Sequence, residues 1–392
     1  MKRIYIYLLS LLALASCQNE LYNDAQDEFQ AKQGVYFVNK GTVQKFVEEN
    51  KTVEIPDLSV GLTRKDNNPV KVIFNAGNQE QLDAYNKKNG TNYILLPESM
   101  YDLKKELVID PLFTSVSVPL KLKDVQFSPK GSYALPIRIA SSDVSVIGGQ
   151  TDALVVLEQK IVTKILRMNG GYASDAEMFP KDFKVPAWTL EVMINRANYS
   201  SNNRAVVWTQ RPAGSSALNE IFTRFGDVTI KPNQLQIKTG GSQIDIPADK
   251  YSALPNQWYM LSFVYDGKLT YVYINGILVA QREIRTGDYD VTGISIGDKN
   301  ELIREVRFYK VARTPQQIAA NIWKTIDYTD DNLLLYFPMN GKKYDHETGK
   351  IVEDDTMIWD WSKSVKHLKK PAQAIFDDNE GKGFVFPPET NS

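Results

Sequence analysis

Apolar and polar side chains alternate residue by residue over much of this chain, and that period constrains its fold more than any other feature. A segment with every second side chain apolar buries one face as a β-strand but shows only a broken stripe as a helix. Val35-Tyr36-Phe37-Val38, Val70-Lys71-Val72-Ile73-Phe74, Val116-Ser117-Val118-Pro119-Leu120 and Ala153-Leu154-Val155-Val156-Leu157 carry the pattern early in the chain. Trp188-Thr189-Leu190-Glu191-Val192-Met193-Ile194 and Trp258-Tyr259-Met260-Leu261-Ser262-Phe263-Val264-Tyr265 carry it later, and their register places Trp188 and Trp258 in the core. Asn275-Gly276 separates Thr270-Tyr271-Val272-Tyr273-Ile274 from Ile277-Leu278-Val279-Ala280. That pair accepts the positive φ angles of a two-residue type I′ turn, so the flanking strands are expected as antiparallel neighbours. Two short helices are expected. One runs from an Asn78 N-cap to Gly90 with Leu82 and Tyr85 on one side. The other opens at Thr314-Pro315-Gln316-Gln317, a capping box with Pro at the first helical position and an apolar face of Ile318 and Ile322. The fold class is therefore all-β. The chain has a single cysteine, so no intramolecular disulfide is available and apolar burial must hold the sheets together.

That cysteine closes an N-terminal signal. Lys2 and Arg3 precede an apolar run from Ile4 to Ala15, which ends in Leu14-Ala15-Ser16-Cys17. The run is shorter than the ~20 residues a helix needs to cross a bilayer. Residues 1–17 read as a lipoprotein signal peptide with Cys17 as the lipid-attachment site; the alternative is a secretory signal with a chance cysteine. Acylation there would tether the chain to a membrane surface. Cleavage before Cys17 leaves 376 residues, enough for two domains. Residues 18–30 are polar and acidic and read as a flexible tether. With basic and acidic residues nearly balanced and no long block of one sign, nucleic-acid binding is disfavoured. Two histidines, His346 and His367, are too few for a His-based zinc centre.

Leu82-Asp83-Ala84-Tyr85-Asn86, Gly90-Thr91-Asn92-Tyr93, Leu95-Leu96-Pro97-Glu98 and Tyr133-Ala134-Leu135-Pro136-Ile137 resemble an extracellular β-sandwich domain of uncharacterised function. That family stands at the N terminus of Bacteroidetes surface lipoproteins, including some family 18-type endo-β-N-acetylglucosaminidases. Read from the residues themselves, Tyr85, Tyr93 and Leu96 belong to the core, and Pro97 and Pro136 shape turns and strand edges. Trp188-Thr189-Leu190-Glu191, Tyr265-Asp266-Gly267, Tyr273-Ile274-Asn275-Gly276, Ile296-Gly297-Asp298 and Glu305-Val306-Arg307-Phe308-Tyr309 resemble a laminin-G-like, concanavalin-A-like jelly roll. The expected order is thus an N-terminal β-sandwich over residues 31–160 and a jelly roll over 161–392. The acidic residues Glu20, Asp24, Asp27 and Glu28 also resemble the export signal of outer-membrane surface lipoproteins. The paired resemblance implies a cell-surface protein of a glycan-acquisition system.

Catalysis lacks its usual motifs. No spaced-Asp run ending in Glu, no Glu-x-Asp-x-x-Glu strand, no Gly-x-Ser-x-Gly elbow and no P-loop is present. The acidic clusters Glu353-Asp354-Asp355 and Asp377-Asp378-Asn379-Glu380 read as solvated loops. Sugar binding asks for aromatic faces beside amides and charges, and the candidates are Trp359, Asp360 and Trp361 in Trp359-Asp360-Trp361-Ser362, Trp208 at a strand end, and Tyr199 in a polar loop. For Trp359 and Trp361 the competing role is core packing, because an Asp-x-Ser element recurs near the final strand of laminin-G-like folds. No cofactor is expected, although that fold sometimes holds Ca²⁺, for which Asp227 or Asp298 would be candidate ligands. The leading reading is a non-enzymatic lipoprotein that binds a glycan or glycoprotein and serves uptake or degrading partners. A scaffold lipoprotein that recognises a protein partner at the outer membrane competes with it, and a glycoside hydrolase is the third reading.

Overall fold

The computed structural model describes residues 33–39, 41–89, 91–128, 130–211 and 221–388. The signal peptide with Cys17, the 18–30 tether and Gly90 lie outside the described residues. The chain divides into two compact units, one ending at Gln159 and the other beginning at Lys160. Both are built from strands, with few short helices.

In the first unit Tyr133–Ser142 lies between Asp152–Gln159 and Val70–Ala76, antiparallel to both. Gly41–Val47 adds parallel to Asp152–Gln159, and Glu106–Ile109 pairs with the far side of Val70–Ala76. A second sheet runs Ser145–Val146, Gly34–Phe37, Ser59–Leu62, Ser115–Ser117. Val35, Phe37, Val60, Phe74, Leu135 and Val155 share one core, so the two sheets form a sandwich. The run from Val116 to Leu120 is split: Ser115–Ser117 stops ahead of Pro119, which has no N–H to offer a ladder, and Leu120–Leu122 joins a separate three-stranded sheet.

Pro136 corrects the expectation of a turn or strand edge, because it sits inside the central strand, opposite Leu154. The sheet accommodates it at a gap. Ile94–Leu95 pairs with Tyr133 and Ala134, Val70–Ala76 pairs only from Ile137 onward, and the missing N–H of Pro136 falls between them. The helix Gln79–Asn89 lies beside this gap. Asn78 caps it, its Oδ1 accepting from the Gln81 N–H (3.0 Å) while Gln81 Oε1 accepts from the Asn78 N–H (2.9 Å). Leu82 is buried with Ala134, Leu154 and Val156, and Tyr85 and Tyr93 close the cluster half-buried.

In the second unit two sheets face each other. The larger is ordered Ile277–Arg282, Thr270–Ile274, Trp258–Tyr265, Trp188–Arg196, Lys299–Tyr309, Ile165–Asn169, Ile375–Asp377, with Leu333–Phe337 also pairing Lys299–Tyr309. The smaller is ordered Ala173–Asp175, Gly293–Ile296, Arg204–Gln210, Phe222–Phe225, Leu235–Thr239, Ser242–Asp245. Leu190, Val192, Phe263, Val272 and Phe308 from the first meet Phe225, Ile237, Ile244, Ile294 and Ile296 from the second. Trp188 lies in this core, whereas Trp258 is half-buried on the outer side against Phe386, ring centroids 5.0 Å apart. Asn275 and Gly276 take φ of 47° and 79°, and Ile274 pairs with Ile277, as the turn chemistry requires. The helix Pro315–Ala320 has the expected capping box.

The outer side of the larger sheet is covered and carries a buried ionic hub. Arg307 donates to Glu191 (3.1 Å) and Glu305 (2.8 Å), and to the backbone oxygens of Asn321 and Lys324. Glu305 also accepts from Arg304 and from the Tyr336 hydroxyl (both 2.9 Å), and the Ser262 hydroxyl donates to Glu191 (3.0 Å). Glu305 adopts a left-handed φ of 52° at an irregularity in strand pairing, which turns its carboxylate toward both arginines.

Candidate functional site

The outer side of the smaller sheet is the place where polar and aromatic side chains gather. Alternation sends Thr223, Phe225, Ile237 and Ile244 inward, so Phe222, Arg224, Gln236, Lys238, Gln243 and Asp245 project the other way. The register then aligns them. Ser174 stands opposite Ser295, Ser295 opposite Trp208, Trp208 opposite Phe222, Phe222 opposite Lys238, and Lys238 opposite Gln243. Residues directly opposite share a face, and at ~4.8 Å per strand the row is about 24 Å long.

Aromatic rings form the middle of this row. Trp208 meets Tyr172 edge-on (5.2 Å, 68°) and Phe222 at a tilt (5.9 Å). Trp208 is 8% exposed and Tyr172, in the loop ahead of Ala173–Asp175, is 60% exposed. Beside the rings, the Ser174 and Ser295 hydroxyls hydrogen-bond each other (2.6 Å), and the Gln210 amide donates to both. A second row, Arg224, Gln236 and Asp245, runs parallel to the first. Arg224 donates to Gln236 (2.8 Å) and pairs with Asp227; the Gln236 amide donates to Asp245 (2.6 Å) and Asp227 (3.3 Å). Burial opposes the charge on Asp227, but the Val228 N–H, Gln236 and the Arg224 and Lys238 cations hold its carboxyl below the usual range. Rings flanked by amides, hydroxyls and charges can take the C–H face of a pyranose and pair its hydroxyls.

Of the sequence candidates, Trp208 and Asp227 lie on this face. Tyr199 does not: its ring packs 5.0 Å from Phe225, above the Arg196 side chain, and its hydroxyl is buried without a hydrogen-bond partner. Burial raises its pKa. Trp361 and Asp360 are corrected to interior residues. Trp361 is 3% exposed, its indole N–H donating to the Lys342 oxygen (3.1 Å) and its ring meeting Tyr328 edge-on at 5.6 Å. Asp360 accepts from the N–H groups of Tyr336, Ser362 and Lys366 (2.8–2.9 Å), so the Asp-x-Ser element staples the final strands. Trp359 is half-buried; its indole N–H donates to the Asp354 oxygen (3.0 Å), His367 stands edge-on at 4.6 Å, and Lys343 Nζ lies 4.8 Å from the ring. It packs against the cluster that holds Tyr309, Tyr336 and Trp361, on the opposite side of the sandwich from Trp208.

The residues do not fit Ca²⁺. Asp227 is paired with Arg224 and Asp298 with Arg204, so a guanidinium stands where a cation would have to approach. No group of three or more His, Cys, Asp and Glu able to hold a metal occurs among the described residues. Sequence reading missed Tyr172, Phe222, Gln210, Gln236, Lys238 and Asp245. Their signal was the polar half of each alternating strand, Phe222-Thr223-Arg224 and Gln236-Ile237-Lys238, which looks like ordinary solvent-facing sequence until register aligns it.

Residues 29–146 match a family model of N-terminal domains, and residues 169–319 match the concanavalin A-like lectin/glucanases superfamily. No curated protein matches the chain. Among solved structures, a protein of Bacteroides ovatus proposed to bind carbohydrate is 22% identical with a TM-score of 0.54, across 87% of this chain and 97% of its own. A SAP-like pentraxin from Limulus polyphemus (16% identity, TM-score 0.35) matches over 52% of this chain and 97% of its own. Domain 4 of an extracellular arabinanase from Geobacillus stearothermophilus (14%, TM-score 0.29) matches over 40% of this chain and 86% of its own. The chain thus joins an N-terminal domain of the first family to a laminin G/concanavalin A-like domain.

Proposed function

We propose that this protein is a cell-surface lipoprotein, anchored at the outer membrane through Cys17, that binds a glycan or glycoprotein without cleaving it. The observation that carries the reading is the strand-crossing row of Trp208, Phe222 and Lys238 with Tyr172 beside it, on the outer face of a lectin-type sandwich. The Bacteroides ovatus neighbour, itself proposed to bind carbohydrate, supports the same ligand class. The first unit then acts as a spacer from the membrane, and bound glycan passes to uptake or degrading proteins.

Turnover is disfavoured on chemistry. Asp227 and Asp245 share the Gln236 amide, so two carboxylates do lie close together on this face. A glycosidase acid must hold its proton near neutral pH, and Asp227 is shifted the other way. Glycan-array binding by the full chain, repeated with Trp208→Ala, tests the proposal. Array silence, or binding indifferent to Trp208, sinks it. The scaffold reading keeps one specific support: Ile277 at the tip of the edge hairpin is 70% exposed beside Leu278. Crosslinking on cells that captured one protein stoichiometrically with or without glycan would favour it.

A further inference from the structure

The first unit holds a cavity of about 420 Å³ beside Pro136, between the helix Gln79–Asn89 and the paired strands Tyr133–Ser142 and Asp152–Gln159, within the range of small-molecule sites. Its apolar wall is made by Tyr85 and Ala84 from the helix and by Pro136 and Leu154 from the two strands beneath, while Ile137 and Ala153 turn their side chains into the sandwich core. Gly77 lets the chain pass close against this wall, since a Cβ there would come within 2.7 Å of Pro136. The rim is polar. Arg138 Nε and Nη2 bond the two oxygens of Asp152 (2.5 and 3.2 Å), and Gln81 spends its Oε1 on the Asn78 cap. Arg138, Asp152 and Gln81 all line the cavity, and neither Arg138 Nη1 nor the Gln81 amide nitrogen has a hydrogen bond among the described residues.

We infer that this cavity is a second carbohydrate site, independent of the Trp208 face, that takes a single neutral pyranose. The argument is one of matched chemistry. A sugar ring offers an apolar C–H face to Tyr85, Pro136 and Leu154, and its hydroxyls both donate and accept, as a paired Arg and Asp require. A charged sugar is not favoured, because Asp152 already neutralises Arg138: its charge and hydrogen bond raise the Arg138 pKa, and Asp152 is held below the usual carboxylate range by Arg138 and Thr151 against the opposing effect of burial. An apolar side chain of a protein partner would fill the wall but offer no hydrogen bond to the polar rim.

The test is saturation-transfer NMR on the full chain with methyl glycosides of glucose, galactose, mannose, fucose, N-acetylglucosamine and N-acetylgalactosamine, plus glucuronic acid and N-acetyl-phenylalaninamide. At least one neutral glycoside is expected to bind at millimolar concentration and to keep binding in Trp208→Ala. Its signal should fall at least fivefold in Arg138→Met and in Ala84→Phe, which blocks the mouth from an exposed helix position and serves alone if Arg138→Met misfolds. Silence from every neutral sugar overturns the inference, as does a signal that survives both cavity variants. Binding of glucuronic acid alone, or of N-acetyl-phenylalaninamide alone, overturns it too. Failure here leaves the Trp208 reading untouched, because that reading is scored by Trp208→Ala on the array.

Discussion

Trp208 and Lys238 lie on one face of the smaller sheet, two strands apart, with Phe222 directly between them in register. The nearly buried indole backs the exposed Tyr172 ring, which gives an apolar surface, and the Lys238 ammonium, which has no hydrogen bond or ion pair among the described residues, gives a donor on the same face. Trp208→Ala is expected to weaken glycan binding by about 1–3 kcal/mol, roughly five- to 150-fold, and to lower stability as well, since the ring packs on Tyr172 and Phe222, without unfolding the chain. Titration calorimetry with an array-positive glycan, alongside thermal melting, checks both halves.

Trp361→Ala should do the reverse. Its ring fills a closed site against Tyr328 and Tyr336, so truncation should cost about 3–5 kcal/mol of stability. Glycan affinity of the molecules that remain folded should not change. Denaturant titration and calorimetry on the same sample separate the two, and weakened binding at full stability would return Trp361 to the ligand.

Tyr199→Phe removes a buried hydroxyl that has no partner. Deleting such a group is expected to leave stability unchanged or raise it by up to about 1 kcal/mol, with glycan binding unaltered. A loss of binding in this variant, seen on the array, would place the hydroxyl in the site after all.

Asp360 sets a pH dependence. Burial pushes its carboxyl from 3.8 up to about 6, against the pull of the Lys366, Tyr336 and Ser362 N–H groups. Because the folded value lies above the unfolded one, the native state holds a proton that the unfolded state releases between them. The stability this group contributes is full below pH ~4 and is lost as pH rises through about 6. Relative to Asp360→Asn, the wild-type chain should therefore lose on the order of 2–3 kcal/mol between pH 4 and 7. Urea titrations of both proteins across that range give the difference directly, and a flat difference would contradict the shift.

Much of the fold is legible in the sequence because its signals are local. Asn275-Gly276 fixes a turn through the backbone angles that those two residues tolerate, and Thr314 with Gln317 closes a helix start within four residues. Pro136 was misread because its tolerance depends on which strands end beside it, a fact that no neighbour in sequence reports. Site residues were harder for a related reason. Trp359, Asp360 and Trp361 fit a sugar site and a core element equally well in sequence, because nothing local shows that Asp360 binds backbone N–H groups inside the fold. Phe222, Gln236 and Lys238 looked unremarkable because their meaning arises only when strands from four parts of the chain come into register. The cavity beside Pro136 is invisible for the same cause, being made where the helix Gln79–Asn89 crosses two paired strands.

The hub around Arg307 bears on the order in which the second unit can assemble. Glu191 and Arg307 are 116 residues apart, and Glu305 takes its third donor from Tyr336. An intermediate that buried one of these groups ahead of the others would leave a carboxylate or guanidinium without its partner, at a cost of several kcal/mol per ion. The hub therefore rewards only those arrangements in which Glu191, Glu305, Arg307 and Tyr336 have already met.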